Sequence, residues 1–319
     1  MHFPNFNPVL IHFGPFVIRW YALAYIAGIL AGWRYAHALV MQPRIWAPRL
    51  APLNKLQIDD LVLWITLGVI LGGRTGYVLF YGQDTFTRDP LEVFKVWHGG
   101  MSFHGGMTGV SVAIIGYVFT AWWFSRDRAT PLDWRAALGK VFDRAVAVGD
   151  LVAPCAPFGL FFGRIANFIN GELWGRKTTV PWGIIFCSDN LKAENGGICP
   201  AGLEPRHPSQ LYEATLEGLV LFVVLRLATH RFQLLPRRGA VTGLFLVCYG
   251  LFRVVLETVR NPDLNMPTYS FGLTMGMMLS VPMVLAGLGL FWYARRPVQI
   301  EVDASAQAGE TPTADAPAA

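Results

Sequence analysis

The chain has 319 residues, of which 53% are hydrophobic and only 15% charged, with a formal net charge of +5. A water-soluble chain normally carries about a quarter charged residues, so this composition excludes an ordinary soluble domain and points to an integral membrane protein. The basic residues are scattered among apolar segments without a stripe of interleaved aromatics, which argues against a nucleic-acid partner; the positive charge reports orientation in the membrane.

The opening MHFPNFNPVLIHFGP lacks the basic start and small-residue cleavage site of a secretory signal, so the first apolar segment is expected to be retained. Seven segments approach the roughly twenty apolar residues that a spanning helix needs. They cover approximately 15–40, 58–82, 104–124, 147–170, 208–229, 239–260 and 269–294. Gly68, Gly72 and Gly76 in the second, with Gly105 and Gly109 in the third, recur at a spacing that suits tight helix packing. The fourth is interrupted by Pro154, Pro157 and several glycines. Such a break is tolerated at membrane depth only where protein or a water-filled cavity satisfies the freed backbone, so it hints at a site.

Basic residues cluster in alternate connections: Arg34, Arg44, Arg49 and Lys55; Arg126, Arg128, Arg135, Lys140 and Arg144; Arg226, Arg231, Arg237 and Arg238; then Arg295 and Arg296. The positive-inside rule puts these in the cytoplasm, the N-terminus outside and the C-terminus inside. Segment 164–207 carries five basic residues against that trend, of which Arg164, Arg176 and Arg206 sit in motif-like surroundings. The expected fold is an all-α integral membrane protein with seven transmembrane helices and a small head formed by loops. Residues 1–296 form one polytopic domain, and 297–319 are too polar and too rich in Ala, Pro and Thr to be other than a disordered cytoplasmic tail. No repeat at a fixed period is visible, which weighs against an inverted-repeat transporter.

Cys155 and Cys248 lie in apolar runs and read as small core residues. Cys187 and Cys199 fall in a polar stretch and can pair if it faces an oxidising compartment. No spacing of Cys and His suggests a metal site.

Several polar residues do not belong in lipid. Span one begins RWYALAY, with Arg19, Tyr21 and Tyr25. Arg74 lies in GGRTGYVLFY, and HGGMSFHGG supplies His98 and His104. Asp150 lies near the start of span four, which ends in GRIANFINGELWGR with Arg164, Asn167, Asn170 and Glu172. In YGLFRVVLETVRNPD, Tyr249, Arg253, Glu257 and Arg260 recur at helical spacing on one face. An arginine at a helix centre costs roughly 2.5–3.5 kcal/mol, so Arg74, Arg164 and Arg253 are expected to face the bundle interior. Pairing among Arg253, Glu257 and Arg260 is the plain alternative. Three arginines nonetheless outnumber the nearby carboxylates Glu172 and Glu257, and an anion is the natural counterpart. The planar guanidinium fork suits a phosphate diester, which in a bilayer is a lipid headgroup.

His104, in its glycine-flanked bend, suits proton transfer near neutral pH, with His98 as second choice. RHPSQLYE at 206–213 reads as a loop followed by the start of span five, and Trp20, Trp97, Trp174 and Trp182 as interface anchors.

Together these motifs resemble the bacterial prolipoprotein diacylglyceryl transferase family, from HFPNFNPV to about Arg296; only the 301–319 tail and the centre of the 177–203 loop fall outside its pattern. The resemblance implies a multi-pass inner-membrane enzyme with its N-terminus, head and active site periplasmic. Its reaction would move an sn-1,2-diacylglyceryl group from phosphatidylglycerol to the lipobox cysteine thiol of a prolipoprotein signal peptide. A thioether forms and glycerol phosphate leaves, with no metal or organic cofactor, as the first step of lipoprotein maturation. By motif it singles out Tyr21, His104, Arg164, Asn167, Glu172, Gly175, Arg253 and Glu257. The chemistry assigns Arg164 and Arg253 to the phosphate, His104 to the thiol proton, Tyr21 and Asn167 to the headgroup, Gly175 to close backbone approach, and Glu172 and Glu257 to orienting arginines. A lipid or anion transporter is the rival reading; a structural membrane protein leaves the arginines unexplained.

Overall fold

The computed structural model describes residues 1–13, 16–80, 89, 91, 94, 100–127, 131–261 and 273–298, with the side chains of 12, 13, 16, 17, 80, 103 and 104 outside that description. His98, Trp97 and the expected tail past 298 therefore lie outside the described residues.

The chain opens with an antiparallel hairpin, β1 (Val9–Phe13) and β2 (Phe16–Arg19), in which Val9 faces Arg19 and Phe13 faces Phe16. Strand pairing takes residues assigned to the first span, so α1 runs Trp20–Val40 and Arg19 remains extended at its N-cap. Next come α2, Lys55–Phe80, and α3, Phe103–Ser125, whose N-cap Ser102 side chain accepts from the Gly105 amide. The fourth segment begins at Trp134 rather than near 147, because Asp133 caps it by accepting from the Arg135 and Ala136 amides. It forms α4, Trp134–Val152, a 3-10 turn at Ala153–Cys155, and α5, Ala156–Ile169. Pro154 and Pro157 each lack an N–H, and the tighter turn absorbs that loss without parting the helix. The expected break is thus a change of winding.

Segment 208–229 behaves differently. It is helical from end to end but comes in three pieces: α6 (Ser209–Glu213), a π-helical stretch (Ala214–Val220) and α7 (Leu221–His230). Then follow α8, Ala240–Glu257, and α9, Met275–Tyr293. Six described helical stretches are long and apolar enough to cross a membrane: Trp20–Val40, Lys55–Leu79, Gly105–Ser125, Trp134–Ile169, Ala240–Glu257 and Met275–Tyr293. The expected fifth span is not among them, since none of its pieces has the length.

Small residues bring the helices together. A Cβ on Gly68 would lie 2.5 Å from the Gly109 carbonyl, and one on Gly76 would lie 2.7 Å from the Gly105 Cα, so α2 and α3 touch backbone to backbone as their spacing implied. Gly28 on α1 meets Gly159 on α5 in the same way, and Gly243 on α8 meets Gly287 on α9. Asp150, wholly buried, caps α8 from outside, accepting from the Gly239 amide and from the amide and hydroxyl of Thr242 at 2.5–2.8 Å. That satisfies amides which no carbonyl reaches at a helix start.

The loop after α5 builds the head together with the N-terminus. Phe3, Ile184, Phe186, Leu191 and Ala201 form its buried core, with Phe168 and Trp174 packed against them. The Met1 ammonium donates to the Gly183 carbonyl at 2.7 Å, and the Phe3 amide to Ile185 at 3.0 Å. Trp174 is therefore a head-core residue rather than a free interface anchor. Cys187 and Cys199 are joined as a disulfide, while Cys155 and Cys248 are free.

Candidate active site

Arg164 and Asn167 lie three residues apart on α5, Arg253 and Glu257 four apart on α8, and these spacings turn each pair to one helix face. Arg260 follows just past the end of α8. Into the space between them α6 and the π-helical stretch send Glu213 and Glu217. The Arg164 Nε lies 2.7 Å from the Glu213 carboxylate and its Nη2 3.6 Å from Glu217. The Arg253 Nη1 lies 3.7 Å from Glu213 and 3.8 Å from Glu217, and its Nη2 pairs with Glu257 at 2.6 Å. Arg260 reaches Glu213 at 3.6 Å. Guanidinium groups from two helices and the turn beyond one of them thus share a buried acidic pair.

The π winding helps to place that pair. It widens the helix locally, and π turns are frequent at functional sites. Gly218 lets the segment lie against Phe161, where a Cβ would come within 2.7 Å of the Phe161 Cβ.

A second group of contacts holds the GELWGR turn above the cluster. Glu172 accepts from Asn167 Nδ2 at 2.9 Å and Asn170 Nδ2 at 3.3 Å, so it orders amides, with Glu257 alone of the two expected carboxylates pairing an arginine of the cluster. Leu173 adopts a left-handed φ of 56°, a conformation that costs a non-glycine residue roughly 1–3 kcal/mol, and the Ser209 hydroxyl anchors its carbonyl at 3.0 Å. Gln210 donates to the Glu172 carbonyl. Arg206 donates to the carbonyls of Ala201 and Gly175, and Arg176 to that of Arg260, so these two basic residues serve loop architecture. RHPSQLYE therefore does more than start a helix. Its Arg206, Ser209 and Gln210 lock the signature turn, and Glu213 enters the site. His207 sits beside it with Nδ1 3.3 Å from the Tyr212 hydroxyl, and partial burial holds its imidazole below the ordinary histidine range.

Gly175 does permit a close approach, but to the protein itself: its amide donates to the His207 carbonyl, and a Cβ would lie 2.6 Å from the Val259 carbonyl. Tyr21 stands at the start of α1 with its hydroxyl 3.2 Å from that of Tyr25, within electrostatic reach of Arg164 and Glu172. Arg74 is buried; it donates to the Gly100 carbonyl at 3.2 Å, and the Tyr77 ring lies 5.8 Å from its guanidinium, while Arg260 joins Arg164 and Arg253 at the acidic pair. His104 lies in the first turn of α3, and its side chain is outside the described residues.

The expected excess of positive charge at Arg164 and Arg253 is corrected by two further carboxylates among the described residues. Arg164 and Arg253 converge on Glu213, the last residue of RHPSQLYE, and on Glu217 one turn beyond it. Two carboxylates one turn apart in an apolar helix were themselves a signal, since such groups are rare in a span and face its interior.

Gly276, in the first turn of α9, leaves room for the Glu257 carboxylate, whose Oε1 would lie 2.5 Å from a Cβ there. Gly276→Ala is expected to push Glu257 off Arg253 and to lower turnover about tenfold or more, on the scale of a lost charge-assisted hydrogen bond. Wild-type turnover in that variant would mean that the Arg253–Glu257 pair is dispensable.

The model of the family described as prolipoprotein diacylglyceryl transferase matches residues 8–293. The chain belongs to that family. A phosphatidylglycerol–prolipoprotein diacylglyceryl transferase of Caulobacter sp. (strain K31) is 53% identical over 311 residues, covering 93% of this chain and 96% of the relative. The protein of the same name from Phenylobacterium zucineum (strain HLK1) is 52% identical over 318 residues, 100% of this chain and 99% of the relative. That from Nitrobacter hamburgensis (strain DSM 10229 / NCIMB 13809 / X14) is 48% identical over 294 residues, 92% and 89% of the two chains. For a diacylglyceryl transferase, a buried cluster of guanidinium groups at the junction of helices and head is a site of suitable chemistry, because the group that must be held and released is a phosphate.

Proposed function

We propose that the Arg164–Arg253–Arg260 cluster holds the phosphate of phosphatidylglycerol while the diacylglyceryl group passes to a prolipoprotein. The transfer itself follows from family membership and from the names that the relatives carry. The observation that carries the assignment is the convergence of Arg164 and Arg253, from separate helices, on one pair of buried glutamates. The lipobox cysteine thiolate attacks the glyceryl carbon bearing the phosphate; the C–S bond forms, the C–O bond breaks, and glycerol phosphate leaves with the electron pair. Arg164 and Arg253 stabilise the charge that develops on it. Asn167 and Tyr21 position the headgroup, Glu257 fixes Arg253, and Glu172 orders the amides of the signature turn. His104 is the candidate acceptor of the thiol proton, and Arg74 a further headgroup contact.

The site faces the periplasm in this reading, with seven crossings of the inner membrane in which α6, the π stretch and α7 jointly make the fifth. Alternating basic connections and a disulfide in the head, which suits an oxidising compartment, support that orientation. Both substrates then enter sideways from the bilayer.

Purified protein incubated with phosphatidylglycerol and a lipobox peptide is expected to raise the peptide mass by one diacylglyceryl group. An unmodified peptide, with lipid moving across the bilayer, would favour transport instead.

A further inference from the structure

Among the described residues, the cluster sets Arg164, Arg253 and Arg260 against Glu213, Glu217 and Glu257, so its charges balance. A phosphodiester entering such a site adds a negative charge where little water can screen it. Arginine stays protonated in proteins, so these three side chains can gain no further charge. A carboxylate of the cluster that takes up a proton supplies the compensation, the usual outcome when like charges are forced together away from water.

The geometry says which carboxylate. Glu257 is held at 2.6 Å by Arg253 in a pair formed within one helix. Glu213 and Glu217 are four residues apart, both buried, and all four of their carboxylate oxygens lack a hydrogen-bond donor of good geometry among the described residues. They face Arg164 from α5, Tyr249 and Arg253 from α8, Arg260 beyond it, and each other. An incoming phosphate competes for the same guanidinium groups, and the pair it displaces is left as two close negative charges.

We propose that phosphatidylglycerol binds at this cluster together with one proton, which the Glu213–Glu217 pair takes up. The inference rests on the phosphate reading given above, and its test separates the two.

Dihexanoyl phosphatidylglycerol is titrated calorimetrically into the full-length protein in zwitterionic nanodiscs, without peptide, in two buffers of different ionisation enthalpy. The heats are expected to differ by the equivalent of about one proton per lipid, and Kd to rise with pH by up to about tenfold per unit, because the bound state holds the extra proton. Glu217→Gln removes the charge at nearly constant shape. It should diminish the buffer dependence, flatten the pH profile and bind more tightly than wild type at high pH, which a residue serving only to pack the bundle would not do.

Saturable binding with equal heats in both buffers and a pH-independent Kd overturns the proton coupling and leaves the phosphate site standing. Binding that Arg164→Lys and Arg253→Lys leave unchanged overturns the phosphate reading beneath it. Full proton uptake retained in both Glu213→Gln and Glu217→Gln overturns the pair as acceptor. Should one variant fail to fold, the other decides the acceptor and the wild-type heats decide the coupling.

Discussion

Arg164→Ala is expected to lower kcat/KM for diacylglyceryl transfer by at least about 10²–10³-fold, the scale of losing one donor aimed at developing charge. Arg164 is the largest single candidate because its Nε and Nη2 reach both buried glutamates from α5, an element that also carries Asn167 into the signature turn. Arg164→Lys separates charge from shape. Lysine keeps the charge but presents a point in place of a planar fork, so most of the loss should persist. Radiolabelled lipid transfer to a lipobox peptide reads both variants. Activity above a tenth of wild type in the alanine variant, in a protein that still melts normally, would remove Arg164 from the phosphate site.

Glu213→Ala should destabilise the bundle by roughly 3–5 kcal/mol, the cost of taking one partner from a buried ion pair and leaving uncompensated charge behind. Its carboxylate faces Arg164 at 2.7 Å, Arg253 at 3.7 Å and Arg260 at 3.6 Å, so its loss leaves a net positive charge spread over three side chains. Glu204 supplies the contrast. It pairs with Lys177, but both side chains are more than half exposed, so Glu204→Ala should change stability by less than about 1 kcal/mol. Thermal melts in detergent compare the two. Equal shifts would mean that water reaches the arginine cluster freely and that its charges are screened.

How much of the site the sequence displayed depends on where its parts lie along the chain. GRIANFINGELWGR and YGLFRVVLETVRNPD put Arg164, Asn167, Arg253 and Glu257 on view, because charged groups in an apolar run are costly and stand out. Glu213 closes RHPSQLYE, which in the sequence reads as a helix start; nothing local tells that its glutamate points at α5 and α8. Gly175 was legible as a place of close approach, while what approaches it, the backbone at His207 and Val259, is a tertiary fact. The prolines of the fourth segment suggested a functional break. Beside Arg164 and Asn167 of that segment, the site draws on the π stretch at Ala214–Val220, which holds no proline to announce it.

Composition, apolar run length and glycine spacing are local quantities, and they sufficed for a helical membrane protein and for the close contact of α2 with α3, while the short motifs carried the resemblance to its family. The hairpin before α1, the entry of Arg260 into the arginine cluster, and above all the carboxylates that face it required the folded bundle. An ion pair joins residues by distance in space, and Arg164 and Glu213 are 2.7 Å apart there while nearly fifty positions separate them in the chain.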